Sequence, residues 1–232
     1  MFARIKSIIY MIKSSRAHAK GKEQDTLYWL EKACETRAAK PSVVTTYGYL
    51  LLKHGRLEEA MKVLSDQLRS PSLSNMDLYI AQSNYALGLW KEGKLDKAIT
   101  MLEKTIPHYK NSNVYGSLGY LYNISGDLEK ALAFNQEAMD YNSTGTVILD
   151  NLGQTYYLMG DQEKAKEIFE KCLSLKPTFP EAYYDYALVC EKLGDIDKSI
   201  QLLKKAQEYR VNFLSAITKE DIEKKLAALE AK

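Results

Sequence analysis

Gly88-Leu-Trp-Lys-Glu-Gly93-Lys94 reproduces the first seven places of a phosphate-binding loop, in which backbone amides cradle the phosphate and the lysine reaches it. The eighth place should carry a Ser or Thr hydroxyl to meet magnesium, and here it is Leu95. The segment also closes a helical pattern, whereas a phosphate loop follows a strand, so no nucleotide chemistry is expected from it. His18, His54 and His108 lie far apart, with no His-Glu-x-x-His spacing for zinc. No Gly-x-Ser-x-Gly elbow presents a nucleophile. Cys34, Cys172 and Cys190 are odd in number and lack Cys-x-x-Cys spacing, which argues against a disulfide framework or a metal clip and points to a reducing compartment, the cytoplasm. Neither catalysis nor a cofactor is expected.

The elements that hold these residues are helical. Five prolines and twelve glycines interrupt 232 residues, and β-branched runs are scarce, so an all-α fold is expected. With 32 basic and 30 acidic side chains the chain lacks the cationic excess that holds a nucleic-acid backbone by counterion release, and no nucleic-acid partner is expected. No stretch approaches the roughly 20 apolar residues of a membrane span. The charge is uneven: residues 1 to 22 carry Arg4, Lys6, Lys13, Arg16, Lys20 and Lys22 and no acidic residue, so the remainder is net negative.

One stretch of the chain is written twice. At an offset of 34, residues 117–131 and 151–165 share Leu118/Leu152, Gly119/Gly153, Tyr122/Tyr156, Gly126/Gly160, Asp127/Asp161, Glu129/Glu163, Lys130/Lys164 and Ala131/Ala165. Weaker copies follow at Tyr186, Ala187, Gly194 and Asp195, and precede at Ala86, Gly93 and Ala98 and at Gly48, Gly55 and Ala60. Each copy reads as two helices. In residues 147–160 apolar or small residues at Leu149, Leu152, Gly153, Tyr156 and Tyr157 form one stripe, and Ala165, Ile168, Phe169, Cys172 and Leu173 form the next. Gly160 suits a left-handed C-cap and Asp161 the following N-cap.

The pattern Leu152-Gly153, Tyr156, Gly160, Ala165, Phe169, Pro177 resembles the tetratricopeptide repeat, a two-helix unit with a 34-residue period. The resemblance implies a right-handed α-solenoid of helix-turn-helix units: 1–40 as a degenerate first unit, then 41–74, 79–111, 112–145, 146–179 and 180–213. Residues 218–232, in which Thr218 and Asp221 form a capping-box start and Ile222, Leu226 and Leu229 an apolar stripe, are expected to close the array as a C-terminal capping helix.

The same resemblance implies that the stripe of each first helix not used in packing lines a concave groove for a protein or peptide. The candidate peptide-binding residues are Tyr49, Asn84, Trp90, Tyr120, Asn123, Asp150, Asn151, Gln154, Tyr157 and Tyr184. Tyr and Trp offer large contact area at low entropic cost, and amides can pair with a ligand backbone. For Tyr49, Tyr120, Tyr157 and Tyr184 the plainer alternative is packing against the next unit. The family's carboxylate clamp uses Lys, Arg and Asn of successive first helices, and the corresponding places here carry Thr45, Ser83, Asn84, Asn113 and Ser117 with no Lys or Arg, so no clamp is expected. Asp150, Glu181, Asp185 and Glu191 favour a ligand that is neutral to basic over the later units. Phe2, Ile5, Ile8, Ile9 and Ile12 beside basic residues have the pattern of a membrane-surface helix; the plainer expectation is a first helix that buries its isoleucines on the second. The chain is thus expected to be a non-catalytic interaction scaffold, with assembly through the basic N-terminal helix as the alternative.

Overall fold

Helices start and stop where local chemistry directs. In the computed structural model, which describes residues 2–71 and 73–231, Gly160 takes φ 85° and closes a helix as a left-handed cap. One residue later the Asp161 carboxylate accepts the Lys164 backbone N–H at 3.1 Å and opens the next. Gly126 and Asp127 repeat the arrangement. A residue with a side chain is strained at such a φ, so glycine sets where each of these pairs turns.

Thirteen helices and no strand occur among the described residues. They fall into two compact units divided between Tyr109 and Lys110. The first holds α1 (Phe2–Ala19), α2 (Glu23–Glu35), α3 (Pro41–Lys53), α4 (Leu57–Leu68), α5 (Asn75–Lys91) and α6 (Leu95–Thr105). Within it each helix packs on the next, and α3 also packs on α5. The second holds α7 (Ser112–Ser125), α8 (Leu128–Tyr141), α9 (Thr146–Met159), α10 (Gln162–Ser174), α11 (Glu181–Lys192), α12 (Ile196–Ala206) and α13 (Lys219–Glu230). Here too neighbours pack in sequence, with α7 against α9 and α9 against α11, so these three helices form one layer, and α8 and α10 each pack against two of its members. The fold class is all-α, of the helix-pair solenoid type.

Close approach within a pair depends on a glycine facing a large residue. A Cβ on Gly153 would lie 2.8 Å from the Phe169 ring, which is fully buried between α9 and α10 and stacks on Tyr186 at 5.7 Å. In the first unit Gly48 faces Leu64 in the same way, at 2.7 Å. The core of the second unit runs on from Phe169 through Tyr186, Ala187 and Leu203 to Ile222, Leu226 and Leu229 of α13, whose start carries the Thr218–Asp221 capping box.

The isoleucines of α1 correct one expectation. Ile5, Ile8, Ile9 and Ile12 remain 43–49% exposed and Phe2 83% exposed, while Ser7, Ser14 and Ala17 are buried. Small residues let α1 lie close to α2, where Ser14 Oγ donates to the Thr26 carbonyl at 3.2 Å and Tyr10 stacks on Trp29 at 5.7 Å. That contact takes the face opposite the isoleucines. No helix among the described residues is long and apolar enough to cross a membrane.

Candidate functional site

The second unit assembles a polar site from four helices. Helix α7 brings Tyr120 and Asn123, α8 brings Asn135, α9 brings Asp150, Asn151, Gln154, Thr155 and Tyr157, and α11 brings Glu181, Tyr184 and Asp185. Asn123, Asn135, Asn151 and Thr155 are all buried, so their polar groups must pair inside the protein.

Apart from the Asn135 side-chain oxygen, which is buried without a hydrogen-bond partner, they do so as a directed relay. Asn135 Nδ2 donates to Thr155 Oγ1 at 3.0 Å, and Thr155 Oγ1 lies 2.7 Å from Asn123 Oδ1. Asn123 Nδ2 donates to Gln154 Oε1 and to the Asn151 carbonyl, both at 2.9 Å. Gln154 Nε2 then donates to Asp185 Oδ2 at 3.3 Å. Asn151 Nδ2 ties α9 to α7 through the Gly116 carbonyl at 2.7 Å. In a low-dielectric interior such bonds polarise one another, and the chain ends on a carboxylate, which fixes that carboxyl in place.

Asn123 and Asn151 were expected to face a ligand, but the structure gives their amides to neighbouring helices. They position the face; Gln154, half-buried, is the amide nearest its surface. Asn135 and Thr155 escape a reading by family pattern, although one signal exists: 34 places before the buried Phe169 the chain has Asn135. Gly119 faces Asn135 as Gly153 faces Phe169, and a Cβ there would collide with the amide oxygen.

Above the relay lie three carboxyls. Asp150 is 7% exposed, and its Oδ1 is buried without a hydrogen-bond partner. Burial pushes its carboxyl well above the usual carboxylate range, and the charges of Asp185 and Glu181 push it further. Asp185, also buried, is raised to about 7 by burial and then by Glu181. Glu181 is held from the other side, its Oε1 accepting the Ala216 N–H at 3.1 Å. Burial raises the Tyr120 phenol to about 12, with further contributions from Asp185, Glu181 and Asp150. Tyr157 and Tyr184 are raised too, first by burial, then by Glu191 and Asp185 for Tyr157 and by Asp185 for Tyr184. Tyr120, Asp150, Tyr157, Tyr184 and Asp185 therefore share one neighbourhood, with all three phenols half-buried.

Tyr49, Asn84 and Trp90 belong to the first unit, on α3 and α5, and are half-buried there. Burial raises the Tyr49 phenol. The Trp90 ring carries the Lys91 ammonium 4.0 Å from its centroid. Gly88 and Lys91 lie inside α5 and Lys94 pairs with Glu92 at 2.6 Å, so the partial phosphate-loop motif is a helix end. Among the described residues no group of three or more His, Cys, Asp or Glu is placed to hold a metal ion.

Two family models described as tetratricopeptide repeat match the chain, over residues 148–179 and 168–201. Several solved structures share the fold. A thermophilic TPR protein of Thermus thermophilus is 20% identical with a TM-score of 0.67, covering 83% of this chain and 100% of that one. PilF of Pseudomonas aeruginosa is 12% identical, with a TM-score of 0.65 and coverage of 90% and 93%. A tetratricopeptide repeat protein from Parabacteroides merdae is 14% identical, with a TM-score of 0.54 and coverage of 97% and 99%. No curated protein matches the sequence.

Proposed function

We propose that this chain, whose residues 148–201 match tetratricopeptide-repeat family models, is a non-catalytic scaffold that holds a segment of a partner protein on the layer formed by α7, α9 and α11. The repeat boundaries are those of the 34-residue copies, with α13 closing the array. The observation that carries this reading is the cluster of half-buried phenols, Tyr120, Tyr157 and Tyr184, over a fixed amide relay. A rigid aromatic surface on a polar base that cannot collapse loses little entropy when a ligand orders on it. Tyr49, Asn84 and Trp90 offer a similar, smaller set in the first unit. The absence of a lysine- and arginine-lined clamp on these helices sets the ligand apart from an acidic C-terminus. Cys172 and Cys190 sit buried as core residues, in keeping with a cytoplasmic setting.

The test is a selection from a random peptide display library against wild type and Tyr120→Ala/Tyr157→Ala, after circular dichroism shows both to be helical. Enriched peptides that bind the variant at least tenfold more weakly fit anchoring by aromatic hot spots, whose truncation costs about 1–2 kcal/mol or more each. Peptides held equally by both proteins would remove this face from consideration.

A second reading rests on α1. Its exposed isoleucine face is flanked by Arg4, Lys6, Lys13 and Arg16, with no acidic residue in the helix. That is the arrangement of a helix lying on an anionic lipid surface. Flotation with phosphatidylserine-containing vesicles is expected to carry wild type and not Ile8→Ser/Ile12→Ser; equal flotation, or none, rejects it.

A further inference from the structure

Carboxylates elsewhere in the second unit have an internal cation at hand. Glu170 pairs with Lys198 at 3.4 Å, Glu191 with Lys225 at 2.7 Å and Asp161 with Lys164 at 2.9 Å. Asp150, Glu181 and Asp185 pair with no Lys, Arg or His among the described residues, although two of the three are buried. A buried carboxyl without a counter-charge is costly, and one whose oxygen also lacks a hydrogen bond is costlier still. A cation arriving from outside the chain would relieve that cost.

The surroundings say what that is. The Gln154 amide and the Ala216 N–H hold Asp185 and Glu181, so two carboxyls are fixed and the third, Asp150, has a buried oxygen without a partner. The three are not disposed as a metal-ligand set. Half-buried phenols stand around them, Tyr120 from α7, Tyr157 from α9 and Tyr184 from α11, and aromatic faces favour organic cations. We propose that Asp150, Glu181 and Asp185 form a pocket for one lysine ammonium or arginine guanidinium of a bound peptide. The pocket rests on the binding face proposed above and names the side chain that the face selects.

Proton release accompanies binding. Without a ligand, burial and mutual repulsion keep Asp150 and Asp185 protonated beyond the usual range. A cation favours their ionised forms, so affinity rises with pH through about 7, where Asp185 titrates. The other groups near the pocket with a shifted protonation move away from this window. The Tyr120, Tyr157 and Tyr184 phenols and the Cys172 thiol of α10, beside Asp150, are all raised, and Glu191 and Lys225 are paired to each other. Asp221 of α13, on the Tyr184 side, is lowered by its hydrogen bonds to Thr218.

The experiment takes the peptides enriched on the whole chain and titrates each, by fluorescence anisotropy at pH 5.5 and 8, against wild type, Asp150→Asn/Asp185→Asn and Tyr120→Ala/Tyr157→Ala. The expected result is a shared Lys or Arg in the peptides and tighter binding at the higher pH. Binding should weaken by about ten- to a hundredfold both on the Asn pair and on exchanging the peptide lysine for norleucine, as for loss of a charge-assisted hydrogen bond. Peptides without a common cation, indifferent to the Asn pair yet lost with the tyrosines, overturn the pocket and leave the binding face standing. Absence of any enriched peptide overturns both. Retention of spermidine without any peptide overturns the assignment to a peptide side chain.

Discussion

Replacing Asp185 by Asn should make the unliganded protein more stable at pH 8, against the usual direction for a change in a buried polar network. In the folded chain the Asp185 carboxyl titrates near 7 against an ordinary 3.8, a difference of about three units. At 1.36 kcal/mol per unit, that difference is about 4 kcal/mol. The folded pKa is the higher one, so the folded state holds the proton more tightly. The contribution to stability is fully present below pH 3.8 and is lost as pH rises to about 7. Asp185 is only 8% exposed, so solvent screening removes little of the effect. Asparagine keeps an oxygen for the Gln154 amide, 3.3 Å away in the parent, and removes the ionisation. Urea melts followed by far-ultraviolet circular dichroism should show Asp185→Asn about equal to wild type at pH 4.5 and about 2–4 kcal/mol more stable at pH 8. The gain corresponds to roughly 10 °C in the melting of a domain this size. Destabilisation by a similar amount at both pH values would refute the reasoning, because it would make the carboxylate a structural partner and not a charge held for a ligand.

Phe169→Ala removes a fully buried ring that Gly153 and Tyr186 enclose and should cost about 3–5 kcal/mol in the same melts. Gly153→Ala places a methyl at 2.8 Å from that ring and should cost about 1–3 kcal/mol, with Phe169→Leu partly relieving it in the double variant. Asn135→Ala takes the first donor from the relay and should cost about 1–3 kcal/mol while broadening the side-chain amide resonances of Asn123 and Gln154. Thr218→Ala removes the capping box of α13 and should lower stability by about 1 kcal/mol.

What the sequence disclosed was local. Gly160 as a left-handed cap, Asp161 as the cap that follows, and the Thr218–Asp221 box depend on neighbours within four residues, and the structure has them where the residue types place them. The two-helix period is legible because Gly119, Gly126, Asp127 and Ala131 return 34 places later as Gly153, Gly160, Asp161 and Ala165. The face of a helix is legible too, but its cover is not. The isoleucines of α1 form a clear stripe, and only the packing of Ser7, Ser14 and Ala17 on α2 reveals that the stripe looks outward. Asn123 and Asn151 sit at the places expected of contact residues, yet their amides are spent on Gln154, on the Asn151 carbonyl and on Gly116. The balance was decided by Asn135, a polar residue at the position of a core phenylalanine, and no rule of spacing announces where a buried amide will find its partners. The acidic character of Asp150 and Asp185 could be read from composition, whereas their lack of a cationic partner among the described residues is a fact of three dimensions.

The relay from Asn135 to Asp185 also bears on how the second unit comes apart. In an array held by nearest-neighbour packing alone, helix pairs can peel away singly and exchange their backbone protons one pair at a time. Here α7, α8, α9 and α11 share polar groups that lose their partners together, so opening α9 strands amides on the others. Hydrogen exchange should therefore find one cooperative block spanning these four helices, more resistant than α13, and the unit should behave mechanically as a single piece that yields at its end before it yields in its middle.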